Sequence, residues 1–258
     1  MRGLREIITG VLFLMPLLLG ADEAPPRVVD SEADRIMKRT CEQLRSAPAF
    51  SVSVDISDDD VLESGLTMQY QRASDLVLDR PNHLRIEGDS DKGRRTILYD
   101  GKTVTVFNRD ENVYAQAAAP DTVDATLDKL KELGVSLPLE DLMSGDPCAW
   151  LYEDVWDSYY AGRHYLEGRF VHHLLFRVKA ADFQIWVQGD EVPVLRKVLI
   201  EYREKEGKPR YEARLFDWDF RPTIDAEDFI FTPPQGASRI EFRTENNIGE
   251  GEGEGDMP

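Results

Sequence analysis

Period-two alternation over most of the chain, broken once by a stretch of helical period, limits what this sequence can fold into. Phe50, Val52, Val54 and Ile56 alternate with Ser51, Ser53 and Asp55. Leu66, Met68 and Tyr70 alternate with Thr67, Gln69 and Gln71, and Leu76, Leu78, Leu84 and Ile86 continue the pattern. Asp100-Gly101 predicts a two-residue hairpin turn with Ile97 opposite Val104 and Tyr99 opposite Lys102. A further turn at Asp110-Glu111-Asn112 leads into 113–117, so about seven strands precede residue 121. Later, 159–166 turns at Glu167-Gly168 into 170–178, and Phe183, Ile185 and Val187 alternate. The segment 195–202 turns through 205–209 into 211–218, and 228–232 reads as a last short strand. No strand–helix–strand repeat occurs, so the strands are antiparallel.

The interruption spans 121–153. Val123, Leu127, Leu130 and Leu133 fall on one helical face with Thr126, Thr122 is a suitable N-cap, and Gly134 stands where a helix would stop. Leu139, Leu142 and Met143 make a further apolar turn. Asp146-Pro147 reads as the start of another short helix carrying Trp150 and Leu151. One more helix precedes the strands. Ser31 and Asp34 resemble a capping box, Ile36, Met37, Thr40, Cys41 and Leu44 form its stripe, and it ends near Pro48. Helices this short need a surface to lie on. A sheet of about a dozen strands curls or closes, and full closure would leave the helices nowhere to bury their faces. The expected fold is therefore α+β, mainly β: an antiparallel, incompletely closed β half-barrel of about 11–12 strands, with short helices covering its concave face.

That arrangement nominates an apolar cavity lined by Val52, Val54, Met68, Leu84, Ile86, Ile97, Val104, Leu174, Phe176, Ile185 and Val187, roofed by Leu127 and Leu130. The same residues could instead form a dry packed core. If space remains, a dozen buried methylenes are worth about 10 kcal/mol gross at ~0.8 kcal/mol each.

Residues 1–21 carry Arg2 and Arg5, then 13 apolar positions from Ile7 to Leu19, too few to span a bilayer comfortably, and read as an export signal. Residues 22–30 form a linker with Pro25-Pro26, 31–243 one domain, and 244–258 a Gly/Glu-rich tail expected to be disordered. No cysteine follows the apolar run, so a lipid-anchored N-terminus is not indicated. The formal charge of −18 argues against nucleic acid as a partner. Cys41 and Cys148, the only cysteines, could pair in an exported protein or remain two separate buried thiols.

No metal site is expected. His172 and His173 point to opposite faces of a strand, and His164 shares a face with His173 without a third ligand. Asp58, Asp59 and Asp60 lack the spacing of a calcium loop. Asp217 and Asp219 flank Trp218 as an exposed acidic face with Trp218 turned inward, rather than an acid–base pair. No nucleophile motif or phosphate-binding glycine loop is present, so no catalytic residue, enzyme activity or cofactor is expected.

The order of elements resembles the LolA/LolB-like superfamily of periplasmic lipoprotein carriers. Within it, particular strings resemble an uncharacterised family of predicted periplasmic proteins, domain of unknown function 2092. These include Ala33-Asp34-Arg35-Ile36-Met37, Arg80-Pro81-Asn82-His83-Leu84-Arg85, Tyr99-Asp100-Gly101-Lys102-Thr103, Asn112-Val113-Tyr114-Ala115 and Leu137-Pro138-Leu139-Glu140-Asp141-Leu142. His172-His173-Leu174, Leu195-Arg196-Lys197, Asp217-Trp218-Asp219 and Phe231-Thr232-Pro233-Pro234 complete them, over about residues 30–243. The resemblance implies an open half-barrel with a helical lid and an apolar cavity, which in the carriers holds acyl chains. The expectation is a monomeric periplasmic binding protein that carries or senses a lipid or an acylated protein, with a membrane-associated partner in reach. The alternative is a periplasmic protein–protein interaction or sensor module with a filled core and no ligand.

Overall fold

In the computed structural model, which describes residues 28–137 and 139–242, an aspartate starts the first helix. The Asp30 carboxylate accepts hydrogen bonds from the amides of Glu32 and Ala33, making Asp30 rather than Ser31 the N-cap of α1 (Ser31–Ser46). Ala33, Ile36, Met37, Thr40 and Leu44 form its buried stripe. The signal segment 1–21, linker residues 22–27 and the tail 244–258 lie outside the described residues.

Twelve strands then build a single sheet. Six precede the helical interruption, one fewer than the alternation suggested: β1 (Ala49–Val61), β2 (Thr67–Asp79), β3 (His83–Ser90), β4 (Gly93–Tyr99), β5 (Thr103–Asn108) and β6 (Val113–Ala118). The interruption comprises α2 (Val123–Glu132), a 3₁₀ turn (Glu140–Met143) and α3 (Ala149–Asp154). Then come β7 (Asp157–Leu166), β8 (Arg169–Arg177), β9 (Ala181–Gln188), β10 (Val194–Tyr202), β11 (Arg210–Asp219) and the short β12 (Ser238–Arg239). The order is β12-β6-β5-β4-β3-β2-β1-β11-β10-β9-β8-β7. Every pair is antiparallel except β12 on β6. β7 and β12 form the two edges, so the sheet curls without closing.

Three register breaks help bend the second half: on β11 opposite Ser51–Ser53, on β10 between Leu195 and Lys197, and on β7 between Tyr160 and Gly162. A bulge adds a residue, sharpens twist and switches which side chains face inward. On β11, Asp217 adopts a left-handed φ of 51°. Inward positions therefore pass from Ala213 and Leu215 to Trp218, whose indole N–H donates to the Leu195 carbonyl at 2.8 Å and whose ring packs near Phe50. Simple alternation would have turned Trp218 outward.

The β4–β5 hairpin differs from its expected register. Its two loop residues are Gly101 and Lys102, so Tyr99 pairs with Val104 and Ile97 with Val106. The Asp100 carboxylate accepts from the amides of Lys102 and Thr103, which fixes Asp100 as the last paired residue instead of the first loop residue. The displacement is two positions, so each side chain keeps its face.

The helices cover the concave side, as their apolar faces require. Thr122 caps α2 by accepting from the Ala125 amide, and Gly134, at φ 74°, follows its end. α3 begins at Ala149, two residues beyond the expected Pro147, because Asp146–Cys148 form a preceding turn closed by the Ala149 amide on the Asp146 carbonyl. The side chains of Trp150 and Leu151 lie outside the described residues. Cys41 and Cys148 are bonded, tying α1 to the segment before α3 across 107 positions.

Residues 228–232 do not form a strand. Asp225 caps a 3₁₀ turn (Ala226–Phe229) with a reciprocal box to Asp228, and Phe229 is buried against His83. The chain continues as a strap over the convex side, where Phe231 packs on Phe107 and Tyr114 before β12 joins the edge.

Candidate functional site

The inward face of the sheet changes character along straight rows. One row reads Val52, Leu76, Ile86, Ile97, Val106 and Ala115 across β1 to β6, apolar throughout. The next reads Val54, Ser74, Gly88, Arg95, and the one beyond it Ile56, Arg72, Ser90, Gly93. The fourth brings Asp58 opposite Tyr70. Apolar floor therefore gives way to polar floor at one height in β2, β3 and β4, and two rows further on in β1.

Residues 135–137 and 139–142 lie over this boundary, each beside one of two recesses. The first, about 240 Å³, lies between Val135, Ser136 and Leu137 above and Tyr70, Arg72, Ser74, Ile86, Gly88, Arg95 and Ile97 below. The second, about 200 Å³, is almost wholly apolar. Met37, Leu44 and Cys148 form one wall, Leu139, Leu142 and Pro147 the roof, and Phe183, Ile185, Leu195, Val198 and Ile200 the floor. Asp141 is its one charged neighbour, and burial, helped by adjacent Glu140, pushes that carboxyl above the usual range.

The two recesses share sheet rows. Tyr70, Asp58, Tyr211, Ile200 and Phe183 are successive partners across β2, β1, β11, β10 and β9. Tyr211 thus stands between the polar and apolar ends. Its phenolic oxygen is buried with no hydrogen-bond partner among the described residues, and burial raises its pKa.

The roof is held by a few local ties. Lys131 pairs with Glu140 at 3.0 Å, the Gly145 amide donates to Asp124 at 2.6 Å, and Arg80 donates to the Ser144 carbonyl at 2.9 Å. Leu139 sits at φ 52°, a conformation that costs a non-glycine residue about 1–2 kcal/mol. The disulfide anchors the far end of this loop at Cys148.

Of the nominated cavity residues, Ile86 and Ile97 border the first recess and Ile185 the second. Val52, Val54, Leu84, Val104, Leu127, Leu130, Leu174, Phe176 and Val187 are packed in the continuous core and touch neither recess. Met68 is 40% exposed. It has the inward parity of Leu76 and Leu78, but β2 outruns the helices there. Sequence reasoning missed Met37, Leu44, Leu139, Leu142, Leu195, Val198 and Ile200 on the apolar side, and Tyr70, Arg72 and Arg95 on the polar side.

The histidines are occupied. His172 faces inward, with Nδ1 at 2.9 Å from the Tyr160 hydroxyl and Nε2 at 2.9 Å from Asp190. His173 faces outward, stacked on Trp186, with Nδ1 2.9 Å from His164 Nδ1 and Nε2 3.1 Å from Gln184. Burial lowers its pKa, with His164 and Lys197 adding to the effect and Gln184 opposing it. Among the described residues no group of three potential ligands could hold a metal ion, and no helix is long and apolar enough to cross a membrane.

Among solved structures, the chain is similar to the lipoprotein LppX of Mycobacterium tuberculosis, with 13% identity, a TM-score of 0.49, and 76% of this chain and 100% of that chain covered. It is similar to LprF from Mycobacterium bovis at 12% identity and TM-score 0.47, over 81% and 98% of the two chains. A LolA superfamily protein from Nitrosomonas europaea aligns at 12% identity and TM-score 0.37, over 77% and 97%. No curated protein matches the sequence. Residues 33–243, nearly the whole described chain, match one family model, and the protein belongs to that family, the predicted periplasmic proteins of DUF2092.

Proposed function

We propose that this periplasmic protein binds a lipid or the acyl chain of an acylated protein, without catalysis, beneath residues 139–142. The carrying observation is the apolar recess of about 200 Å³ between α1, Leu139–Leu142 and the Phe183–Ile200 floor. Apolar cavities of about 150 Å³ are large enough to take up benzene, so this recess accommodates a short alkyl stretch as it stands. Ordinary ligand sites occupy about 300–1,000 Å³. A full acyl chain therefore requires the roof to lift. The strained, left-handed Leu139 and the few polar ties around it favour that loop as the part that moves. No row of hydrogen-bonding groups lines the recess, as suits a ligand held by burial at ~0.8 kcal/mol per methylene.

Titration of purified protein with a fluorescent polyene fatty acid tests the reading. Saturable binding near one site per chain, competed by unlabelled acyl chains, is expected. Linear, unsaturable enhancement would overturn it. The alternative module with a filled core draws support from the closed packing of Leu84, Tyr99, Val104 and Leu130 under α2, all fully buried. That packing occupies the first half of the sheet and leaves the recess on the second half open.

A further inference from the structure

Resting on the reading above, we propose that the ligand is amphipathic with an anionic head, and that Arg72, Arg95 and Lys92 receive it. The chain carries a formal charge of −18, yet the first recess is bordered by these three cations and a single carboxylate, Asp58. Asp58, 3.9 Å from Arg72, offsets one of the three charges and leaves two in excess. Arg95 makes no ion pair among the described residues and is exposed, while Lys92 Nζ lies 3.9 Å from the Tyr70 ring centroid. The carboxylates at this height, Asp55, Asp89 and Asp91, border the groove on the opposite face of the sheet. Cations outnumber carboxylates at the inner recess three to one, whereas at the outer groove Asp55, Asp89, Asp91 and Glu212 outnumber Arg72 and Arg214.

The floor between the cations is kept low. Ser74, Gly88 and Arg95 are direct partners across three strands, as are Arg72, Ser90 and Gly93. Gly88 has no positive φ that would demand glycine. A Cβ there would approach the Ser74 hydroxyl to 3.2 Å, so a side chain would fill the space beside Arg95. Arginine binds phosphate and carboxylate oxygens through paired N–H donors, which suits a headgroup oxyanion.

The two recesses lie on one sheet row, with the buried Ile56 and Ala213 between them, so the tail crosses there when the roof lifts. Arg72, Ile56, Ala213 and Val198 are successive partners on one sheet row, and Val198 belongs to the apolar recess. Three interstrand spacings separate the two ends, about 14 Å along the sheet. An extended medium-length alkyl chain spans that distance with its head on the arginines.

The test uses the whole mature protein and three probes: dodecyl phosphate, dodecyl maltoside as a neutral head on the same tail, and inorganic phosphate. Calorimetric titration is expected to show dodecyl phosphate binding at least roughly tenfold more tightly than the maltoside, and weakening as salt rises. R95Q and R72Q are each expected to cost roughly tenfold for dodecyl phosphate and to leave the maltoside unchanged. R95Q serves as the cleaner variant, because no native ion pair is lost. Equal binding of the two dodecyl probes would overturn the headgroup assignment and leave the apolar site standing. Inorganic phosphate competing as well as dodecyl phosphate would overturn it in favour of a free-phosphate site. Binding of neither dodecyl probe would overturn both readings.

Discussion

Enlarging Val198 distinguishes an open recess from a filled core by the sign of one free energy. Val198 is 6% exposed, pairs with Ile185 and Ala213, and borders the apolar recess. If its side chain points at free space, Val198→Leu adds one buried methylene and stabilises by about 0.8 kcal/mol, and Val198→Phe by about 1–2 kcal/mol. In a filled core the same changes would overpack and cost about 1–3 kcal/mol. At about 2–4 °C per kcal/mol for a domain of this size, Val198→Phe raises the melting temperature by about 2–8 °C in the first case and lowers it in the second. Urea and thermal unfolding of delipidated protein read the sign, and fatty-acid titration reads the consequence. The expected result is a more stable protein with at least tenfold weaker acyl binding. A destabilised variant with unchanged acyl affinity would refute the assignment of this recess as ligand space.

Two further outcomes follow from the same geometry. Replacing Cys41 and Cys148 with serine removes a bond across 107 positions, which the chain-entropy account values at about 4.8 kcal/mol. A loss of about 2–5 kcal/mol in denaturant titration is expected, reproduced by reducing the wild type, and an unchanged midpoint would contradict it. His173 is held neutral by burial, so its folded pKa lies below the ordinary 6.5. As pH falls through 6.5 toward that lower value the unfolded chain binds more protons and stability is lost. His173→Gln should therefore flatten the melting-temperature profile between about pH 7 and 5 relative to wild type, and parallel profiles would count against the assignment.

Much of this architecture was readable in the chain. Alternation in residues 50–56 and 183–187, with the helical spacing of Val123, Leu127 and Leu130, sufficed to place helices over the concave side of an antiparallel sheet. The recess was less legible because it depends on bulges. Leu195 and Val198 share a face only through the register break between them, whereas the inward Trp218 was expected and is reached through the bulge at Asp217. Strict alternation assigns Val198 to the opposite side. The polar end did leave a signal. In residues 70–78, 86–90 and 95–97, inward positions pass from Leu and Ile to Ser, Gly, Arg and Tyr. Polar residues on an otherwise apolar parity, repeated in neighbouring strands, mark where a sheet stops being core. The cap on α1 and the β4–β5 turn were misplaced because Asp30 and Asp100 bind backbone amides, a local competition that periodicity does not register.

The most direct test is to purify the protein from its native host without detergent and weigh it by native mass spectrometry, then extract and identify what departs on denaturation. The account predicts an adduct approaching one acyl-bearing molecule per chain, diminished in Val198→Phe. A bare polypeptide mass in every preparation, with no acyl compound in the extract, would contradict it.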